Sequence, residues 1–323
     1  MTTVDLLALA AQPTRPFESI PIIDISGLSG DPDSRAQVAS DILEACIHVG
    51  FFYVKNHGVN QSTIASAADA SRRFFALSSE EKMKVDYHKT PNTRGYYPVI
   101  GNRYRHECFE VGLEVDASSN NSPNVPNLWP SEDVVSGLRE AALKYYQEVV
   151  ELGHKLWPTF ALALNLPENY FDDKLQTTGP RLRLLHYLQQ SVVDEKNPGP
   201  GIGAHSEYVF FTILWQDQNP ALQVKNTSGQ WINAPPIPGT FIVNIGDQLS
   251  RWTNGIFKST VHRVFNNSGA ERYSMPLFFG LDSNVKIEAL PSCVSESRPA
   301  RYESILAGDF VRGRHAYYHP EKQ

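Results

Sequence analysis

No run of about eighteen apolar residues occurs, so no segment reads as a helix that spans a bilayer. A basic excess is also missing: 29 Lys and Arg against 35 Asp and Glu give a net charge of −6. A sequence-independent nucleic-acid binder needs basic surface to displace counterions from phosphates, so that class is disfavoured. Cysteine is scarce. Cys46, Cys108 and Cys293 lie far apart, form no CxxC pair, and as three they cannot all pair within one chain. Free thiols in a reducing compartment follow. The first apolar stretch is short, follows Asp5 and has no basic residue before it, unlike a secretory leader. The ending Pro-Glu-Lys-Gln matches no retention or peroxisomal address, so the expected location is the cytosol. With 41% hydrophobic and 20% charged residues over 323 positions, the chain is neither disordered nor fibrous and can bury a sizeable core.

What is present divides by texture. Pro21-Ile-Ile-Asp-Ile25 reads as a short strand. Val38, Ile42, Leu43, Cys46 and Ile47 recur at helical spacing up to Gly50. Phe51 to Val54 reads as a strand closed by a turn at Asn56, His57 and Gly58. A helix carrying Ile64, Ala67, Ala68, Phe74 and Phe75 follows, and Ser78 with Glu81 forms a capping box. Residues 91–130 are rich in Pro, Asn and Ser, and Ser118–Pro123 reads as an exposed loop. Leu138, Ala142, Tyr145, Val149, Leu152 and Leu156 then mark one face of a long amphipathic helix.

After Gly179, eight short β-rich runs are separated by turn residues: 182–188, 210–216, 222–225, 231–234, 240–245, 260–266, 273–281 and 285–290. Hairpin turns are expected at 227–229 and 268–270. The fold class is mixed α/β with a mainly β core, a sandwich or jelly roll. One compact unit is expected: a mostly helical part at 1–178, the β core at 179–290 and a helical tail at 291–323.

The chemistry concentrates near Gly201. His205 and Glu207 are two apart, so on a strand their imidazole and carboxylate share a face. His262 lies in a second strand-like run. Two histidines and one carboxylate match the facial triad that holds non-haem Fe(II) with open coordination positions. A lone His-x-Glu is also common on ordinary surfaces, and ten histidines are present. Arg272-Tyr-Ser274 adds weight. It lies ten residues after His262, past one turn, on what reads as the adjacent strand. A guanidinium beside a hydroxyl is a natural receptor for a carboxylate. Metal site plus anion clamp suits an acidic, metal-chelating co-substrate.

The chain resembles the iron- and 2-oxoglutarate-dependent oxygenases, in the branch of isopenicillin N synthase, plant flavonoid and gibberellin oxygenases and many fungal biosynthetic enzymes. The resemblance runs through Pro21-Ile-Ile-Asp-Ile25, Gly50 to Gly58, Arg72-Arg-Phe-Phe75, Arg94-Gly-Tyr96, Glu107-Cys-Phe109, His205-Ser-Glu207, Leu222-Gln-Val224, Asn244-Ile-Gly-Asp247, Trp252-Thr-Asn-Gly255, His262-Arg263 and Arg272-Tyr-Ser274. It implies a double-stranded β-helix, a form of jelly roll. It implies His205, Glu207 and His262 as Fe(II) ligands, and O2 as oxidant. It implies Arg272 and Ser274 on the distal carboxylate of 2-oxoglutarate, with Tyr187 assisting. The branch has Pro where Leu188 stands, and plant members often have Asn where Leu185 stands.

Glu207 departs from the family's His-x-Asp. Its stem is one methylene longer, and ligand distances tolerate only a few tenths of an ångström. Either the carboxylate folds back to ligate, or the metal site is weakened or lost. A 2-oxoglutarate-independent iron oxidase of the same fold, or a non-catalytic binding relative, are the alternatives to an oxygenase of small molecules in secondary metabolism. For the substrate, alternation puts Arg183 on one face with Leu185 and Tyr187, and Phe278 with Arg272 and Ser274. Arg183 reaches the metal cavity or forms a rim ion pair; facing inward, it favours an acidic or phenolic substrate. Arg103, Tyr104 and Tyr208 complete the candidates. Ser206 is expected to point away without a role, Asn56 and His57 to shape a turn, and Asp247 to anchor a loop near the metal.

Overall fold

A computed structural model describes residues 4–13, 15–91, 93–99, 106–115, 126–177, 179–189, 201–266 and 268–318, the last four by backbone alone. In chain order its elements are α1 (Leu6–Ala10), β1 (Ile22–Asp24), α2 (Pro32–His48), β2 (Phe51–Lys55), α3 (Gln61–Phe75), α4 (Ser79–Met83), β3 (Gly95–Tyr97), β4 (His106–Val111) and α5 (Leu138–Ala163). There follow β5 (Arg181–Tyr187), β6 (Ile202–His205), β7 (Phe211–Gln216), β8 (Leu222–Lys225), β9 (Trp231–Asn233), β10 (Thr240–Ile245), α6 (Asp247–Trp252), β11 (His262–Val264), β12 (Arg272–Phe279), β13 (Lys286–Ile287), β14 (Ile305–Leu306) and α7 (Ala307–Tyr318).

Eight strands form the major sheet in the order β1-β2-β10-β7-β12-β5-β4-β3. Four form the minor sheet, β6-β11-β8-β9. Only β1 and β2 pair in parallel among these ladders. Side chains alternate across a strand, so the major sheet has two distinct faces. Phe52, Val54, Phe109, Leu182, Leu184, Phe211, Ile213, Phe241, Val243, Met275 and Leu277 pack outward against α2, α3 and α5 in one core. Phe51, Tyr53, Cys108, Leu185, Tyr187 and Ile242 face inward, toward Leu222, Val224 and Val264 of the minor sheet, in a second core. The six apolar positions expected on the long helix are all buried. Gly153 lets α5 approach the sheet, because a Cβ there would meet the Phe279 ring at 2.3 Å.

This is the expected jelly roll with helices before and after it, with four corrections. The stretch 91–130, read without strands, contains β3 and β4, while the loop expected at 118–123 lies outside the described residues. Its strand pattern is masked because Glu107 and Glu110 are buried charges, so apolar and polar residues do not alternate. The run at 285–290 gives only β13, which pairs with β14 outside both sheets. The turn at 227–229 does join paired strands β8 and β9. The turn at 268–270 does not make a hairpin: β11 lies in the minor sheet and β12 in the major one. Arg272 therefore faces His262 across the sandwich, not from an adjacent strand.

Candidate active site

His262 opens β11, and its Cα partner on β6 is His205. The two imidazole centroids are 4.3 Å apart. Ligand atoms of His205, Glu207 and His262 all lie within 4.8 Å of one another. The expected strand alternation does not explain this: β6 ends at His205, and Glu207 lies beyond it. The loop is instead held by its backbone. The Asp247 N–H donates to the Glu207 carbonyl at 2.6 Å. Gly246 admits this contact, since a Cβ there would meet Val209 O at 2.0 Å and Glu207 O at 3.1 Å.

Each histidine's Nδ1 meets a backbone carbonyl, His205 with Gly203 O at 2.8 Å and His262 with Thr260 O at 3.1 Å. With Nδ1–H donating there, each Nε2 lone pair is free for a metal, the usual arrangement behind a metal-bound histidine. Burial, with the charge of His205 beside it, pushes His262 down to about 3, so it is neutral at physiological pH. Burial raises Glu207 above the usual carboxylate range, opposed by His205 and Arg183. A bound cation would reverse that balance. Two imidazoles and a carboxylate, convergent within ligand reach, fit Fe(II).

Across the sandwich, Arg272 is fully buried on the inner face of β12. Its Nη2 donates to Gln216 Oε1 at 3.0 Å. Its Nε and Nη1, and the Ser274 hydroxyl, have no hydrogen-bond partner among the described residues. Buried polar groups are normally satisfied, so these three orphans mark a place for a ligand anion. Tyr187 stands opposite Arg272 on β5, with the guanidinium 4.8 Å from its ring centroid. Burial raises the Tyr187 phenol, and Arg272 opposes the rise, so it is a neutral donor.

Comparison with known proteins decides what this pairing belongs to. The profile of the 2OG-Fe(II) oxygenase superfamily matches residues 181–281, and that of the non-haem dioxygenase in morphine synthesis N-terminal family matches residues 20–132. A 2-oxoglutarate-Fe(II) type oxidoreductase, ppzC of Metarhizium majus, is 36% identical over 91% of this chain and 86% of that protein. The chain belongs to the 2-oxoglutarate/Fe(II) oxygenase superfamily. Homoarginine-6-hydroxylase 2-ODD-233 of rice is 34% identical, covering 91% of this chain and 96% of that one. Among solved structures, a full-length Neurospora crassa protein in complex with α-ketoglutarate and 5-formyluracil superposes with a TM-score of 0.83, at 34% identity over 92% of this chain and 96% of that one. The protein is accordingly an oxygenase that uses Fe(II), 2-oxoglutarate and O2 and acts on small molecules.

Around the oxygenase centre the remaining candidates separate. Arg183 is on the inner face, and it is also ion-paired: its Nε donates to Glu110 Oε2 at 2.7 Å. The two readings of Arg183 are therefore compatible. Its guanidinium lies 5.4 Å from the ring centroid of Phe278. Tyr208 follows Glu207; burial raises its phenol, Arg183 opposes the rise and Glu207 adds to it, which places all three close together. Arg103 and Tyr104 lie outside the described residues.

Sequence reasoning missed several residues of the site. Ser206 does have a role: its hydroxyl donates to Asp247 Oδ2 at 3.2 Å and accepts from Arg314 Nη2 at 3.0 Å. Arg314 of α7 also pairs with Asp247. The C-terminal helix is thus tied to the loop that carries Glu207. No local signal in the tail could have announced this, since the contact spans 67 residues. Thr212 and Asn244, Cα partners on β7 and β10, present an unpartnered Oγ1 and Nδ2 on the inner face. Asn56 adopts φ 58° and bonds Asp24, and His57 is buried, as turn residues would be.

Proposed function

We propose that this oxygenase oxidises a C–H bond of a small organic molecule in secondary metabolism, in the cytosol, by hydroxylation, desaturation or rearrangement, with the chain acting as one unit. His205, Glu207 and His262 would hold the iron. Arg272 and Ser274 would grip the distal carboxylate of 2-oxoglutarate, with Tyr187 beside them; Tyr208 and Phe278 would border the substrate. When bound, iron, 2-oxoglutarate and O2 supply the oxidant, the keto acid leaving as succinate and carbon dioxide.

The protein's part is positioning and exclusion of water. The Gly203 and Thr260 carbonyls fix the tautomer and aim of the two imidazoles. Phe51 backs His262 edge-on, with centroids 5.1 Å apart. Arg272 is pre-aimed by Gln216, so little rearrangement accompanies anion binding. Two fungal relatives, ppzC and hxnY of Emericella nidulans at 33% identity, carry the same 2-oxoglutarate-Fe(II) type oxidoreductase description, which supports the oxidative reading.

The convergence of three ligand atoms within 4.8 Å carries the reading. Anaerobic addition of Fe(II) and 2-oxoglutarate to the purified chain should give a visible charge-transfer band. No band would favour the non-catalytic alternative. Succinate release on adding O2 and substrate separates the oxygenase from an iron oxidase that ignores the keto acid. The orphaned donors of Arg272 and Ser274 favour the former.

A further inference from the structure

Arg183 carries more donor capacity than its surroundings use. Only its Nε is engaged, on Glu110; neither Nη atom has a hydrogen-bond partner among the described residues. About a third of the side chain, 34%, remains open, although it lies on the inner face of the barrel. The carboxylate of Glu110 has no exposure and is shared with Arg181, whose Nη1 donates to Oε1 at 2.5 Å. Arg183 thus does not have its counter-ion to itself. Burial pushes Glu110 up, but the two arginines more than reverse it, so the shared partner is an anion.

The free edge is on the same face of the sheet as the co-substrate residues. On β5, Arg183 lies in the same inward row as Leu185 and Tyr187, and its Cα partner on β4 is Glu110. The Phe278 ring lies under the guanidinium, and Tyr208 and Glu207 lie within its electrostatic reach. A planar pair of Nη–H donors is the geometry that grips a carboxylate bidentately. The aromatic wall beside it suits an apolar or aromatic body.

We propose that the open Nη edge of Arg183 binds a carboxylate of the substrate, so that this oxygenase acts on small organic acids and holds them by the acid end. The assignment rests on the oxygenase reading. A neutral substrate offers these donors at best an uncharged acceptor and leaves the second guanidinium charge beside Glu110 uncompensated when it closes the cleft, whereas a carboxylate balances it.

The test compares matched acids and amides. The full chain is loaded anaerobically with Fe(II) and saturating 2-oxoglutarate, which fills the Arg272 clamp. Phenylacetate and 4-phenylbutyrate are then titrated calorimetrically against phenylacetamide and 4-phenylbutyramide. At least one acid should bind saturably and at least about tenfold more tightly than its amide, the scale of a charge-assisted bidentate pair. Arg183→Gln should bring acid and amide within about twofold of each other, given that the charge preference came from the guanidinium. If the single variant does not fold, because Glu110 is left short of a partner, Arg183→Gln with Glu110→Gln removes the pair together. Equal binding of acid and amide to the unmodified protein, binding of neither, or a preference that survives loss of Arg183 would each overturn the proposal. The Fe(II)–2-oxoglutarate band is recorded in every sample, so failure of the oxygenase reading is seen separately.

Discussion

Glu207 has an arm one methylene longer than an aspartate; it lies beyond the end of β6 at His205, and its carboxylate still comes within 4.8 Å of both imidazoles. If this carboxylate ligates, Glu207→Asp retains or raises turnover, whereas Glu207→Ala loses iron binding. Fe(II) retention after anaerobic dialysis and succinate formation measure the two effects. Indistinguishable behaviour of all three proteins would remove Glu207 from the site. Arg272 invites a second substitution. It is 1% exposed, with two of its donor nitrogens orphaned. Arg272→Ala should weaken 2-oxoglutarate by about 2–5 kcal/mol, the scale for truncating one partner of a buried charged pair. The KM for 2-oxoglutarate reads it directly; an unchanged KM would place the keto acid elsewhere.

At the scale of elements, α7 acts as a strap. Arg314 joins it to Asp247 and Ser206, and Phe310 of the same helix lies 5.3 Å from the Arg251 guanidinium of α6. Groups that orient metal ligands from behind typically matter about 10–100-fold in metal affinity. Arg314→Ala should therefore loosen Mn(II), a redox-inert reporter, about tenfold in equilibrium dialysis. Arg314→Lys should recover part of the loss, and unaltered Mn(II) affinity in Arg314→Ala would reduce the strap to packing. The same elements show what a sequence can disclose. His205 with Glu207, and Arg272 with Ser274, stood out because each pair sits two residues apart, and His262 because it supplies the missing donor in a second strand-like run. The long helix announced itself through the row from Leu138 to Leu156. β4 did not, because Glu107 is buried against Lys82 and His186 and Glu110 against two arginines, and buried charges hide a strand's alternation. Whether β11 and β12 share a sheet was equally hidden, since a turn signal marks a reversal and not the sheet in which the next strand pairs. The Arg314 contact is invisible for a related reason: it depends on where the tail returns in space.

For the whole molecule, stability should fall in mild acid. Burial, with Arg183 nearby, pushes His106 down to about 4 from an ordinary value of 6.5. The unfolded chain then binds a proton that the folded chain refuses. The stability contributed is fully present above pH 6.5 and is lost as the pH falls toward 4. Urea midpoints of the metal-free protein at about pH 7.5, 6 and 5 should decline, and His106→Gln should decline less over the same interval. Parallel declines would assign the acid sensitivity to other groups. The order of the major sheet carries a final consequence. β1 and β2 flank β10, while β4 and β3 flank β5, so the first half of the chain closes the catalytic half on both sides. Expressed alone, the segment from β5 onward would present two raw backbone edges, each a template for another copy. Such a fragment is expected to precipitate instead of yielding a smaller catalyst, and the two halves cannot be traded between proteins as independent modules.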